Sequence, residues 1–165
     1  MADFRTKFLE SAFLSNLNKI NNDEYVFTSS SPEDTFFLGE QVASVISEGC
    51  TIALTGTLGS GKTQLTKGIA FGLGIDEKIT SPTYTIVNEY HLNSIKFIHI
   101  DSYRLNDDKD FEDIGGTEIL NSGAICVIEW SDRISGCLPE NVINISIEIN
   151  GSSSRLIKIF FPGNL

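Results

Sequence analysis

Two hydrophobic periods alternate along this chain, and the switches between them predict its elements. In residues 4–20 (FRTKFLESAFLSNLNKI), Phe4, Phe8, Leu9, Phe13, Leu17 and Ile20 fall near one helical face, which predicts a short amphipathic helix. Asn18 to Glu24 reads as a polar connector, and Tyr25-Val26-Phe27-Thr28 as a strand. Ser31-Pro32-Glu33-Asp34 has the form of a helix start: a capping serine, proline at the first helical position and acids in the first turn. Leu38, Val42, Val45 and Ile46 supply the buried stripe of that helix, and Gly49 is its expected stop. Thr51-Ile52-Ala53-Leu54-Thr55 is a β-branched apolar run that leads into a glycine-bearing loop, and a helix is predicted from about Lys62 to Phe71.

Downstream the pattern is mostly strand. Residues 84–90 and 95–100 predict two strands, joined as a hairpin by His91-Leu92-Asn93-Ser94. Residues 106–123 are acidic and contain glycine, with Phe111, Ile114, Ile119 and Leu120 as helix anchors. Residues 124–130 are almost entirely apolar, as expected of a central strand covered on both faces. Residues 142–149 alternate apolar with polar, residues 155–161 do so more weakly, and Asn150-Gly151 with the following serines fits a hairpin between them. The chain carries no internal repeat. The order predicts an α/β domain, with parallel strands at the centre of a mixed sheet and antiparallel additions at its edges. Residues 1–24 read as an N-terminal extension and 25–165 as the main domain.

Composition narrows the setting. The 165 residues fit one domain, and 41% hydrophobic with 21% charged content allows a packed core. No run nears the roughly 18 apolar residues that span a bilayer, so no membrane association is expected. The start Met1-Ala2-Asp3-Phe4-Arg5 lacks the apolar core of a signal peptide, and Asp3 and Glu10 count against a transit peptide. Cys50, Cys126 and Cys137 are odd in number and not spaced as a metal knuckle, which predicts buried thiols and a reducing, cytoplasmic setting. The net charge of −10 repels nucleic-acid phosphates, so any work on nucleic acid is expected to be indirect, through a partner that supplies the positive surface.

The chemistry concentrates in Gly56-Thr57-Leu58-Gly59-Ser60-Gly61-Lys62-Thr63, a phosphate-binding P-loop. Its glycines let backbone N–H groups point at phosphate oxygens, and the following helix adds its positive end. Lys62 would reach the terminal phosphates and the Thr63 hydroxyl would ligate Mg2+. Such a site also needs a carboxylate at the end of a neighbouring strand, and two qualify: Asp101 after Phe97-Ile98-His99-Ile100, and Glu129 after Ile125-Cys126-Val127-Ile128. The hydroxyls of Thr80-Ser81-Pro82-Thr83-Tyr84-Thr85 suit either a switch loop or an ordinary polar loop. His99 reads as a satisfied half-buried histidine rather than a base, His91 as a turn residue and Trp130 as core. Arg104 and Arg133, nearest the two acids, suit phosphate charge or an ion pair with Asp101 or Glu129.

The segments LTGTLGSGKTQLTKGIAFGLGI (54–75), SPTYTIVNEY (81–90), HIDSYRL (99–105) and AICVIEWSDR (124–133), followed by Leu138-Pro139, resemble in order and spacing the TsaE (YjeE-type) family of small bacterial P-loop ATPases. The resemblance covers about residues 25–160. It implies a P-loop NTPase-like three-layer sandwich and a role in threonylcarbamoyladenosine (t6A) formation next to the anticodon of certain tRNAs. It also implies ATP hydrolysis beside the partners TsaB and TsaD, with tRNA contacted only through that complex. By the same resemblance, Gly59, Ser60, Gly61, Lys62, Thr63 and Gln64 cradle the triphosphate, and Thr63 and Glu129 ligate Mg2+. Asp101 assists the metal or positions the attacking water, Thr83 to Thr85 form the switch segment, Trp130 lies near the nucleotide, and Ser31 to Thr35 form the adenine side. Adenine over guanine rests on the resemblance, with the absence of an N-K-x-D motif in mild support. One departure falls inside the loop: Thr57 stands where the family usually has an acid. Two other classes share the P-loop. A small-molecule kinase would need a lid, which Asp107, Asp108, Asp110, Glu112 and Asp113 would make acidic. A nucleotide-dependent binding module would tolerate the loss of Asp101 or Glu129.

Overall fold

The computed structural model describes residues 16–163. Its elements are β1 (Leu17–Lys19), β2 (Glu24–Ser29), α1 (Pro32–Ala43), β3 (Thr51–Thr55), α2 (Lys62–Gly72), β4 (Val87–Leu92) and β5 (Ile95–Asp101). After a 3-10 turn at Ser102–Arg104 come α3 (Asp108–Asp113), α4 (Gly116–Leu120), β6 (Ile125–Glu129), a second 3-10 segment at Ser131–Cys137, β7 (Ile143–Ile149) and β8 (Arg155–Phe160). One sheet holds all eight strands in the order β1-β2-β8-β7-β3-β6-β5-β4. β3 runs parallel to both β7 and β6, and β6 parallel to β5. β4 is an antiparallel addition at one edge, and β8, β2 and β1 form the antiparallel run at the other. The sheet therefore has the predicted mixed form.

Burial explains the layers. α1 and α2 place Leu38, Val42, Leu65 and Ile69, all 0% exposed, on one face against Ile52, Leu54, Val127 and Ile143. On the other face Leu105, Phe111 and Ile134 cover Ile98, Ile100, Cys126 and Ile128. β5 and β6 are thus enclosed from both sides, which is why residues 125–129 read as unbroken apolar sequence. β7 and β8 alternate because their second face stays open, with Asn144 and Glu148 exposed.

α1 and α2 touch through glycine. A Cβ on Gly39 would overlap the Leu65 carbonyl oxygen, and one on Gly68 would overlap that of Phe36. Any other residue at either position would have to push the two backbones apart.

Three expectations need correction or placing. The helix over 4–20 lies mostly outside the described residues. Its described end, Leu17–Lys19, is a strand hydrogen-bonded to β2, because the edge of β2 has unpaired backbone groups to satisfy. α1 is capped by Ser31 as predicted, the side chain accepting from the Asp34 N–H at 3.1 Å, but it stops at Ala43 and not at Gly49. There Ser44 turns its hydroxyl back onto the Gln41 carbonyl at 2.7 Å and competes with the next helical turn. β4 begins at Val87 rather than Tyr84, since the Ile86 N–H closes a turn onto the Pro82 carbonyl at 2.6 Å. That turn holds Ile86 at φ 66°, a conformation costly for a β-branched residue.

Candidate functional site

β3, β5 and β6 end side by side, with Leu54 and Asp101 each in register with Glu129. The loop Gly56–Gly61 leaves the end of β3 and folds over these ends into α2. Gly61 caps α2 at φ 113° without a side chain, and Gly56 takes φ 144° with the Ile147 carbonyl 2.5 Å from where a Cβ would stand. Only glycine allows the loop to turn this tightly beneath the helix N-terminus.

Lys62 is 4% exposed, and its ammonium donates to the Gly56 carbonyl at 2.6 Å and the Thr57 carbonyl at 3.1 Å. It also stands 3.9 Å from the centre of the Trp130 ring. Burial pulls its pKa below the ordinary lysine range, while Glu129, Asp101 and Asp132 oppose that shift. The Thr63 hydroxyl donates to Glu129 Oε2 at 3.1 Å. Glu129 Oε1 lies 2.8 Å from His99 Nε2. Asp101 holds the loop before β4: its Oδ2 accepts from Ser81 at 3.1 Å and Thr83 at 2.8 Å, and its Oδ1 from the Tyr103 N–H at 3.0 Å.

A cleft of about 330 Å³ opens here, lined by Leu58 to Gln64, Lys67, Ser81, Thr83, Asp101 and Glu129. Gly59, Ser60, Gly61, Lys62, Thr63, Gln64, Asp101 and Glu129 therefore meet at one place. Trp130 sits beside them in a left-handed conformation (φ 59°), its ring against Tyr103 at 5.0 Å. Thr85 does not line the cleft; its hydroxyl bonds Asn88 at 2.9 Å, and Ser81 and Thr83 face the site in its stead. A second cavity, about 340 Å³, lies across Gly59–Gly61 and is bounded by Ser31, Pro32, Thr35, Gln64, Ser152, Ser153 and Arg155. Thr57 is exposed and reaches Lys62 only through its backbone carbonyl.

Among the described residues, neither Arg104 nor Arg133 pairs with Asp101 or Glu129. Arg104 lies over the Tyr84 ring at 4.5 Å, and Arg133 donates to the Leu105 carbonyl at 3.1 Å. Residues 106–123 form α3 and α4, which pack Phe111 on the opposite face of the sheet and add no lining residue to the cleft. Sequence reasoning underestimated one residue and overlooked another. His99 is 0% exposed, not half-buried, and touches Glu129. The spacing His99-Ile100-Asp101 carried that signal, because alternate strand residues share a face. Arg155 donates from Nε to the Ser60 carbonyl at 3.0 Å and from Nη2 to that of Gly59 at 3.4 Å. Nothing local in the sequence announces that contact.

The donor set suits Mg2+. That ion usually takes one or two carboxylates, with phosphates and water completing its octahedron. One hydroxyl and one glutamate oxygen at the mouth of a P-loop fit this better than a dedicated cage, and no cluster of three or more His, Cys, Asp or Glu ligands occurs among the described residues.

A glycine loop between a central parallel strand and a helix, with acids ending the neighbouring strands, defines the P-loop class of α/β proteins. Residues 29–157 match the family described as "Threonylcarbamoyl adenosine biosynthesis protein TsaE". The chain is 41% identical over 131 residues to the tRNA threonylcarbamoyladenosine biosynthesis protein TsaE of Treponema pallidum, covering 79% of this chain and 96% of that protein. It is 37% identical to the TsaE of Bacillus subtilis over 81% of this chain and 83% of the relative. The crystal structure of Bacillus subtilis YdiB superposes with a TM-score of 0.74 at 30% identity, covering 86% of this chain and 87% of that one. The chain belongs to the TsaE family.

Proposed function

We propose that this protein binds ATP with Mg2+ in the P-loop cleft and hydrolyses it in support of t6A formation in tRNA, beside partners of the TsaB and TsaD kind. The observation that carries the reading is the meeting of Lys62, the Thr63–Glu129 hydrogen bond and Asp101 in one cleft at the ends of β3, β5 and β6. The names of the relatives, tRNA threonylcarbamoyladenosine biosynthesis proteins, support the pathway.

In this reading Lys62 leaves the Gly56 and Thr57 carbonyls for the terminal phosphates, and the loop N–H groups take the remaining oxygens. Thr63 and one Glu129 oxygen hold Mg2+, which when bound neutralises phosphate charge. Asp101 orients water or the metal's shell, and its bonds to Ser81 and Thr83 tie the switch segment to the same point. Arg104 and Arg133 are engaged elsewhere, so the isolated chain turns over slowly and a partner completes the site. The charge of −10 leaves the tRNA to those partners.

The test is co-precipitation with TsaB and TsaD in ATP, in ADP and without nucleotide, with Lys62→Ala as control, alongside turnover measured with and without the partners. Nucleotide-sensitive capture and partner-stimulated hydrolysis are expected. Failure to bind under all three conditions, or rapid turnover indifferent to the partners, would overturn the reading.

A further inference from the structure

His99 is the one fully buried imidazole among the described residues, and the nucleotide reading leaves it without a task. It lies on β5, two residues before Asp101 and on the same face of the strand. β6 runs alongside with Glu129 at its end. The distance from His99 Nε2 to Glu129 Oε1 is 2.8 Å, with the two side chains 0% and 4% exposed. Glu129 Oε2 meets the Thr63 hydroxyl at 3.1 Å, so each carboxylate oxygen has a different partner.

The ring's proton can be placed by elimination. Nδ1 is buried with no hydrogen-bond partner among the described residues. That nitrogen is unsatisfied with or without a proton, so the choice is decided at Nε2, which faces Glu129 Oε1. An ionised carboxylate can only accept. The proton therefore sits on Nε2 and points at Glu129 Oε1.

We infer that His99 is a positioning residue for Glu129: it takes up Oε1 and turns Oε2, alone, toward Thr63 and the metal position. Free rotation about the last bond of a glutamate is broad, so an unheld carboxylate would offer either oxygen, or both. A hydrogen-bonded one is committed to a single-oxygen contact, which is what a small octahedral ion that keeps its waters requires. Partners behind a ligand commonly change metal affinity or activity by about 10–100-fold when lost. This role rests on the Mg2+–nucleotide reading above.

Two substitutions separate donation from mere filling of space. His99→Gln places an amide nitrogen near the position of Nε2, whereas His99→Asn carries the same amide only as far as Nδ1, short of Glu129. Nucleotide binding is followed by the fluorescence of Trp130, the chain's single tryptophan, which lies 3.9 Å from the Lys62 ammonium. ATP is titrated first in EDTA, then at fixed ATP with rising Mg2+. The Asn variant is expected to raise the Mg2+ midpoint about 10-fold or more, with metal-free binding unchanged, and the Gln variant to stay within about 3-fold of the parent protein. Equal midpoints for folded Asn and Gln variants would overturn the role of His99 while leaving nucleotide binding intact. A parent protein that binds no nucleotide with or without Mg2+ would overturn both. If the Asn variant does not fold, His99→Leu replaces it under the same expectation. A folded Gln variant with a midpoint about 10-fold above the parent's refutes the inference without either companion.

Discussion

Replacing Gly68 with alanine should loosen the molecule where α1 crosses α2, and the size of the effect follows from two opposed terms. In an open helix the change would stabilise, since alanine is favoured over glycine by about 1 kcal/mol. Here the added carbon would overlap the Phe36 carbonyl oxygen and lie 2.8 Å from its carbon and 3.1 Å from Gly39 Cα. These neighbours are backbone and cannot rotate aside, so the helices must part. Overpacking of this kind costs about 1–3 kcal/mol, and the rigid surroundings place it at the top of that range. The net loss is then about 2 kcal/mol, a fall in Tm of roughly 4–8 °C for a domain of this size. The shift should also reach the site, because the Gln64 amide spans from α2 to the Pro32 carbonyl at the start of α1 at 3.3 Å. Thermal and urea unfolding followed by circular dichroism measure the first effect and ATP titration the second. A Tm equal to or above that of the parent protein would show that the glycine contact does not set the helix spacing. Gly39→Ala, at the same crossing, should behave alike, and the two together should cost less than their sum.

On the proposed role of Asp101, orienting water or the metal's shell rather than holding the phosphates, Asp101→Ala should lower turnover about a hundredfold while ATP affinity changes only a few-fold; single-turnover kinetics beside equilibrium binding would separate the two. Arg155→Gln should weaken ATP binding roughly tenfold, because charged donors to the Ser60 and Gly59 carbonyls are each worth about 1.5–3 kcal/mol and the amide replaces only part of them; isothermal calorimetry would read it, and unchanged affinity would refute the clamp. Burial pushes the thiol of Cys50 up to about 12 and that of Cys126 to about 11. A raised thiol pKa means less thiolate at a given pH, so at pH 8 roughly one molecule in 10,000 and one in 1,000 would be ionised at these sites. Both should resist iodoacetamide in the native protein and react after denaturation, as peptide mass mapping would show; native labelling of Cys50 would refute its burial.

The strand–loop–helix at 51–72 was legible because its signals are local: a β-branched run, then glycines, then a helical stripe. Asp101 and Glu129 were legible for the same reason, each being an acid at the end of an apolar run. What escaped is non-local. The end of α1 at Ala43 was hidden because the helical stripe continues in Val45, which is buried without being helical. Thr85 and Thr83 look alike in sequence, and only the Pro82–Ile86 turn decides which faces Asp101. Arg155 lies more than 90 positions from the loop it holds, and its reach depends on how β8 is registered on β7. β1 was read as helix because three residues are too few to show a period of two.

The pairing of β8 with β2 carries a consequence for how the chain is made. Residues 24–29 leave the ribosome well before 155–160, yet in the finished sheet the two segments lie side by side. The same late strand delivers Arg155 to the loop built from residues 59 and 60. During synthesis α1, β3 and α2 can gather, but their sheet ends in open strands until β8 arrives, and the nucleotide loop lacks its clamp. The growing sheet therefore carries exposed strand edges until β8 is made, and the loop gains its Arg155 contacts only with that strand.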